Sequence, residues 1–222
     1  MKQTKRPSGK AEDDLHERIQ ALEKENDNLK SLLLTDELTG LYNKRFFYIQ
    51  LEVEASRVRR TGQPCTLLMM DVDNFKLLND TSGHDAGDRF LAQLGVIIKQ
   101  NLRVTDFPCR FGGDEFSVIM PGSNLKESFL MAKRIQGSVA KLVKMTHADI
   151  MEHLSASFGL AAYEAHSPVG VADFFKQADQ ELYEAKKRGK NQISCSDVKG
   201  VESTATSVEE KVALANGMRN IR

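Results

Sequence analysis

The stretch Arg110–Phe116, which reads Arg-Phe-Gly-Gly-Asp-Glu-Phe, constrains the fold more than any other part of the chain. Apolar runs of strand length flank it, Phe107–Phe111 before and Phe116–Met120 after. Two such runs joined through Gly-Gly spell a β-hairpin, because glycine tolerates the positive φ that tight hairpin turns need. A hairpin commits the chain to an antiparallel pair. It also sets Asp114 and Glu115 at the mouth of that pair, where successive side chains point to opposite faces, so the two carboxylates need not share one role. The paired glycines remove side chains and leave room for a large ligand to approach the backbone. The plain alternative is an ordinary hairpin with solvated acids, since seven residues make a short motif.

Composition narrows the partners. A chain of 222 residues suits one medium domain with extensions. Its 41% hydrophobic and 28% charged content is that of a soluble globular protein. The formal net charge is zero, so nothing global attracts nucleic acid or an anionic membrane, and neither is expected as a partner. Cys65, Cys109 and Cys195 are odd in number and far apart, as reduced cytosolic thiols are. The first two lie in apolar strand-like runs, which places them in the core. No apolar stretch approaches the ~18 residues of a membrane span. Met1–Lys10 is basic but lacks the apolar centre of a signal peptide, so the expected location is cytoplasmic.

In chain order, residues 1–11 contain Pro7 and Gly9 and are expected to form a mobile tail. A helical pattern begins after Asp13 or Asp14 and spans 12–34. Leu15, Ile19, Leu22, Asn26, Leu29 and Leu33 recur at alternating spacings of four and three. This is a heptad with Ile19, Asn26 and Leu33 at its first position and the three remaining leucines at its fourth. A single Asn in such a seam favours a parallel dimer in fixed register, because its amide is satisfied only by its mate. Arg18 would face Glu23 of the partner and Glu25 would face Lys30, both pairs opposite in sign. The alternative is an amphipathic helix packed on its own domain.

From Thr35 to Cys195 strands and helices alternate. Asp36 and Thr39 can cap backbone amides and Gly40 permits a turn. A helix is expected over Lys44–Arg60, and a strand buried on both faces over Cys65–Met70, stopping at Asp71-Val72-Asp73. Carboxylates there are fixed by the strand and exposed by the loop. Asn74–Asp80 and Gly83–Asp88 lead into a helix over Arg89–Leu102. After the hairpin come a helix over Leu125–Thr146, a strand over Leu154–Tyr163, a helix over Val171–Arg188 closed by Gly189, and a short strand over Asn191–Cys195. Residues 196–222 are polar and are expected to be flexible or loosely helical. The class is α+β, with a sheet-and-helix layering.

Asp71 at one strand end, with Asp114 and Glu115 at the hairpin, forms a carboxylate set that suits Mg²⁺, which takes oxygen ligands and shares them with phosphates. From about Thr35 to Cys195 the chain resembles the GGDEF-domain diguanylate cyclases. Five blocks in order carry the likeness: Asp36–Asn43, Asp71–Asp80, Gly83–Asp88, Arg110–Phe116 and Ala178–Asn191. The resemblance implies a fold like the palm of adenylyl cyclases and polymerases, a mostly antiparallel central sheet flanked by helices, with the hairpin at the active site. It implies condensation of two GTP into cyclic di-GMP and two pyrophosphates, across a homodimer in which each subunit presents one GTP. Asp71, the Val72 carbonyl and Asp114 are the implied ligands of Mg²⁺, for which Mn²⁺ can substitute. Glu115 is implied as a further ligand or as a helper in deprotonating the 3′-hydroxyl, with Asp114 also a candidate base. Phe75, Lys76, Asn79, His84, Asp88, Gly112, Gly113, Lys186 and Lys190 are the implied substrate contacts. Of these, Asn79 and Asp88 match guanine-binding positions, and a carboxylate can accept from N1–H and the 2-amino group of guanine. His84 either touches the ribose or fixes its loop. The three lysines match phosphate-binding positions; the family often has Arg where Lys190 stands, so bidentate binding is lost there.

Arg103-Val-Thr-Asp106 lies at the spacing of the family's inhibitory RxxD site, with Arg134 as a second contributor. The resemblance implies feedback by product bound there, since Arg can pair with guanine O6 and N7. By themselves an Arg and an Asp three residues apart form a salt bridge. The competing reading is a non-catalytic receptor that binds cyclic di-GMP at Arg103 and Asp106.

Overall fold

The computed structural model describes residues 14–23, 33–145, 154–166 and 170–196. Helix α1 covers 14–23. Then follow β1 (Tyr42–Asn43), α2 (Lys44–Thr61), β2 (Cys65–Asp73), α3 (Phe75–Ser82), α4 (His84–Asn101), β3 (Phe107–Arg110), β4 (Glu115–Pro121), α5 (Leu125–Met145), β5 (Ser155–Tyr163), α6 (Val171–Lys187) and β6 (Ile193–Cys195). The strands form one sheet in the order β1-β3-β4-β2-β5-β6. Its four central strands are antiparallel and its two short outer strands pair in parallel. The fold is α+β, as expected, with helices on both faces.

Strand β2 is the axis. All nine of its residues are buried, and the period-2 alternation of side chains splits them between two cores. Leu68, Met70 and Val72 face the cluster built with Phe90, Leu94 and Ile98 of α4 and Phe129 and Ile135 of α5. Cys65, Leu67 and Met69 face the cluster built with Phe47 and Leu51 of α2 and Phe174 and Leu182 of α6. The alternation carries Asp71 and Asp73 onto this second face, toward α6. Cys65 and Cys109 lie in this core, and burial pushes both thiols up to about 12, so they act as core atoms.

Several boundaries differ from the expectation. β2 runs on through Asp71–Asp73, because Asp71 pairs with both Glu115 and Ser157, and Asp73 with Ser155. Pairing on both sides outweighs the poor strand propensity of aspartate. Helix α4 starts at His84, so Gly83–Asp88 is largely its first turns. The two residues of β1 were not foreseen; Asn43 ends this strand and caps α2 by accepting from Phe46 N (3.1 Å).

The hairpin exists, with Arg110 opposite Phe116, but its glycines work differently from the expectation. Neither Gly112 nor Gly113 has a positive φ. A Cβ on Gly112 would lie 2.5 Å from Glu115 Oε2, the far end of a flexible side chain that would have to turn aside. Around Gly113 a Cβ would meet nothing within 4 Å, so the turn is open on that side.

In α1, Leu15 and Leu22 are each 59% exposed and Ile19 45%, and Leu33 is 58% exposed. These apolar side chains therefore do not pack on the chain's own domain. Asn26, Leu29 and the charge pair of Glu25 with Lys30 lie outside the described residues, as do Thr146, residues 1–11 and the tail beyond Ser196. Among the described residues no helix is long and apolar enough to cross a membrane.

At Gly159 in β5 the sheet and α6 come into close backbone contact. A Cβ there would lie 2.1 Å from Leu182 N and 2.3 Å from Ala178 O, both backbone atoms of α6 that cannot step aside. Gly159→Ala is expected to cost about 3 kcal/mol or more by forcing α6 off the sheet. Urea denaturation checks this; a midpoint within error of the wild type would show that α6 shifts without cost.

Candidate active site

The carboxylate end of β2 meets the hairpin turn and the end of α6. Asp71 is 8% exposed and stands opposite Glu115 in the strand pairing. The main-chain N–H of Val72, which is itself buried, donates to the Asp114 carbonyl (3.2 Å), which ties the turn to β2. Lys186 Nζ lies 2.7 Å from Asp71 Oδ2. Burial pushes the Asp71 carboxyl up to about 6; Lys186 opposes that rise, while the charges of Asp114 and Asp73 add to it. A carboxylate kept at such a cost at a strand end is a functional candidate on physical grounds.

The donor set fits a hard divalent ion. Asp71 and Asp114 repel one another, and a cation relieves that repulsion. Carboxylates with the Val72 carbonyl are oxygen donors of the kind Mg²⁺ takes, with water and phosphate oxygens completing its shell. Among the described residues no three His, Cys, Asp or Glu side chains come together as a metal cage. The Glu115 carboxylate reaches back toward Gly112, where its Oε2 lies 2.5 Å from the place a Cβ would take.

Arg110 holds the turn from below. Its Nε and Nη2 donate to the Gly113 carbonyl (3.2 and 2.8 Å), and its Nη1 donates to both oxygens of Asp36 (3.2 and 3.1 Å). Asp36 also accepts from Thr39 N and Thr39 Oγ1 (2.9 and 2.7 Å), as its capping role predicted. Burial raises the Asp36 carboxyl, but the Thr39 bonds and the Arg110 guanidinium outweigh it and hold the group below its ordinary value. The link to Arg110 was missed: it spans 74 residues, and a local cap explained Asp36 without it. Phe111 anchors the turn's other side, with ring centroids 5.1 Å from Phe47 and 5.5 Å from Phe175.

The expected guanine contacts sit between α3 and α4. Asn79 Oδ1 is buried with no hydrogen-bond partner, an acceptor without a donor. A Cβ on Gly87 would lie 2.0 Å from that oxygen and 3.0 Å from Phe75 Cζ. Gly87 thus makes room for the Asn79 amide against Phe75, a role that its place within a recognised block did not reveal. Asp88 and His84 are exposed on the first turns of α4, and Lys76 is exposed on α3. Lys190 Nζ donates to Asn74 Oδ1 (2.6 Å), on the loop between β2 and α3. The structure thus brings Lys186 and Lys190 to the end of β2, beside the hairpin.

Arg103 and Asp106 form a closed turn. Asp106 Oδ2 accepts from Arg103 N (2.9 Å) and Asp106 N donates to Arg103 O (3.0 Å). Asp106 Oδ1 is buried and has no partner. Burial pushes this carboxyl up, against Arg103 and Arg134, which pull it down. Arg134 donates to Asn101 O (2.9 Å) at the end of α4. A cavity of about 680 Å³ opens here, lined by Arg103, Asp106, Lys99 and Tyr42, and by Leu34 and Thr35.

A six-stranded sheet with a Gly-Gly hairpin turn beside an aspartate at its central strand end defines a class. Residues 33–192 match the family described as Diguanylate cyclase, GGDEF domain, and the chain belongs to that family. It is 37% identical over 168 residues to the response regulator PleD of Caulobacter vibrioides, which covers 75% of this chain and 37% of PleD. It is likewise 37% identical over 160 residues to the diguanylate cyclase DosC of Escherichia coli, covering 71% of this chain and 34% of DosC. The chain thus spans little more than a third of the length of these curated relatives. The coiled coil and GGDEF domain of DgcB from Caulobacter crescentus, solved in complex with c-di-GMP, superimposes with a TM-score of 0.74. That match covers 85% of this chain and 98% of the DgcB chain, and at 23% identity it speaks for the fold.

The buried charge of Asp71 has a measurable sign. Its folded value of about 6 lies above the model-peptide 3.8, so the folded chain holds the proton longer than the unfolded one. Stability contributed by protonated Asp71 is full below 3.8 and is lost as pH rises toward 6. In EDTA at pH 7, Asp71→Asn is expected to stabilise the fold by up to about 2 kcal/mol, after allowance for solvent screening at the strand end. The gain in Tm should vanish below pH 4. A lower Tm at pH 7 would show that the Lys186 pair stabilises more than burial costs.

Proposed function

We propose that this chain is a diguanylate cyclase that condenses two GTP into cyclic di-GMP across a homodimer. The observation that carries the reading is the costly buried carboxylate of Asp71, with Asp114 near it, set against an open Gly-Gly turn. In each half-reaction the 3′-hydroxyl oxygen of one GTP bonds to the α-phosphorus of the other. The bond from that phosphorus to the bridging oxygen breaks, pyrophosphate leaves, and the hydroxyl proton passes to a carboxylate. Glu115 and Asp114 are the candidate acceptors, both standing at the hairpin turn.

Asp71, Asp114 and the Val72 carbonyl are the residues to hold Mg²⁺ or Mn²⁺, which when bound neutralises phosphate charge and lowers the hydroxyl pKa. Lys186 and Lys190 take the β- and γ-phosphates, with Lys76 beside them. Gly113 leaves space against the nucleotide. Asn79 Oδ1 takes a donor from guanine and Asp88 takes a second, a pattern adenine does not offer. Phe75 backs this pocket, and His84 borders it at the start of α4. The exposed Leu15, Ile19, Leu22 and Leu33 supply the seam along which two copies pair in parallel and bring their active sites together.

Arg103 and Asp106, with Arg134, are the proposed feedback site for product. The orphaned Asp106 Oδ1 and the adjoining cavity support this, since both suit a guanine edge carrying N–H donors. The receptor reading remains the alternative for the same surface.

Incubation with GTP and Mg²⁺ across protein concentrations tests the proposal. Cyclic di-GMP is expected, at a rate per subunit that rises with concentration, and Asp71→Ala should lower it at least about 100-fold. Absence of product with retained cyclic di-GMP binding would favour the receptor. Arg103→Ala should leave the initial rate within about twofold while the progress curve stays linear to higher product levels. A curve that bends as early as in the wild type would remove the feedback site.

A further inference from the structure

The loop after α6 has an unusual backbone. Gly189, Lys190 and Asn191 all have positive φ, at 115°, 63° and 49°. Two consecutive non-glycine residues in that region crowd their Cβ atoms against their own carbonyls, and the conformation persists only where the surroundings over-determine it. Asn74, whose amide receives Lys190 Nζ, is left-handed as well (φ 61°).

Asp73 supplies the determining contacts. It is 2% exposed at the end of β2. Its Oδ2 accepts from Asn191 N (3.0 Å) and Ser155 Oγ (2.6 Å), and its Oδ1 accepts from Ser157 Oγ (2.8 Å). Gln136 of α5 grips the loop from the other side, its Nε2 donating to Asn191 O and Asn191 Oδ1 (2.8 and 3.1 Å). Among the described residues no Lys, Arg or His forms an ion pair with Asp73. A buried carboxylate held by neutral donors alone is costly, and an apolar residue would fill a strand end at less expense. With its oxygens taken up by two serines and a backbone amide, Asp73 is also poorly placed to ligate a metal.

We infer that Asp73 is a positioning residue, whose carboxylate clamps the left-handed turn Gly189–Asn191 so that Lys190 is presented to the phosphates of the nucleotide. The inference rests on the reading of Lys190 as a phosphate contact. It assigns distinct tasks to the two aspartates of Asp71-Val72-Asp73: Asp71 faces the reaction and Asp73 faces the loop that holds the substrate.

The test measures Mg²⁺-dependent binding of 3′-deoxy-GTP, which lacks the attacking hydroxyl, and of guanosine, which lacks phosphates. The full chain is compared with Lys190→Ala, Asp73→Asn and the double variant. Each single change is expected to weaken 3′-deoxy-GTP about tenfold, the scale of one charge-assisted contact. The double variant should be no more than about twofold weaker than either single one, because both remove the same contact. Guanosine affinity should not change. Additive losses, an unchanged affinity in either single variant, or a parallel loss of guanosine binding would overturn the inference. If Asp73→Asn does not fold, Gln136→Ala replaces it and should weaken 3′-deoxy-GTP but not guanosine; no effect would count against the clamp. A wild type that binds 3′-deoxy-GTP but makes no cyclic di-GMP would remove the cyclase reading while these affinities still decide the clamp.

Discussion

The structure depends on carrying a charge to the buried end of its central strand. β2 is covered on both faces and paired on both sides, which is the most rigid position a sheet offers. The same alternation that puts Leu67 and Met69 in the core puts Asp71 in line behind them, where water reaches it poorly. Its carboxyl is pushed up to about 6, and Lys186 only partly offsets the rise. A strand built only for stability would end on an apolar residue. The aspartate trades stability for a fixed oxygen donor, the arrangement that binding a hard cation beside phosphates requires.

The hairpin turn serves this strand end and is held from three directions. Val72 N binds the Asp114 carbonyl, Arg110 binds the Gly113 carbonyl, and Phe111 is anchored among Phe47 and Phe175. Arg110 also reaches Asp36, just beyond the end of the N-terminal helical region. Asn43 donates to Leu33 O and Thr35 O (3.0 and 3.3 Å) while its own oxygen caps α2. The base of that region is thus joined by hydrogen bonds to the turn that carries Asp114. A displacement of residues 33–36 changes the acceptors available to Arg110, so geometry there and geometry at the carboxylates are physically linked.

The site was legible in the sequence wherever its residues sit close together in the chain. The Gly-Gly turn, the acids beside it and the carboxylate at the end of an apolar strand all show in short windows. What those windows hid was the use of each residue. The glycines of the turn were read as a source both of positive φ and of space, and the positive φ is not used. Asp36 was read as a cap, which it is, but its pairing with Arg110 spans the hairpin. Asp73 looked like a neighbour of Asp71 with the same prospects, and only Ser155, Ser157 and Asn191 distinguish the two.

By itself the sequence determined the class of fold and the order of its longer elements, while the two-residue β1 and the separate helix α3 were not read from it. Hydrophobic period, glycine placement and carboxylates at strand ends are local properties, and each is visible within a few residues. Tertiary structure alone decided where β2 ends, since pairing with β4 and β5 carries it through Asp73 against local propensity. It alone set Gly87 against Asn79 and Phe75 of another helix, where a Cβ would crowd the Asn79 amide. These outcomes depend on contacts between residues distant in the chain, and a linear pattern holds no record of which distant atoms will arrive.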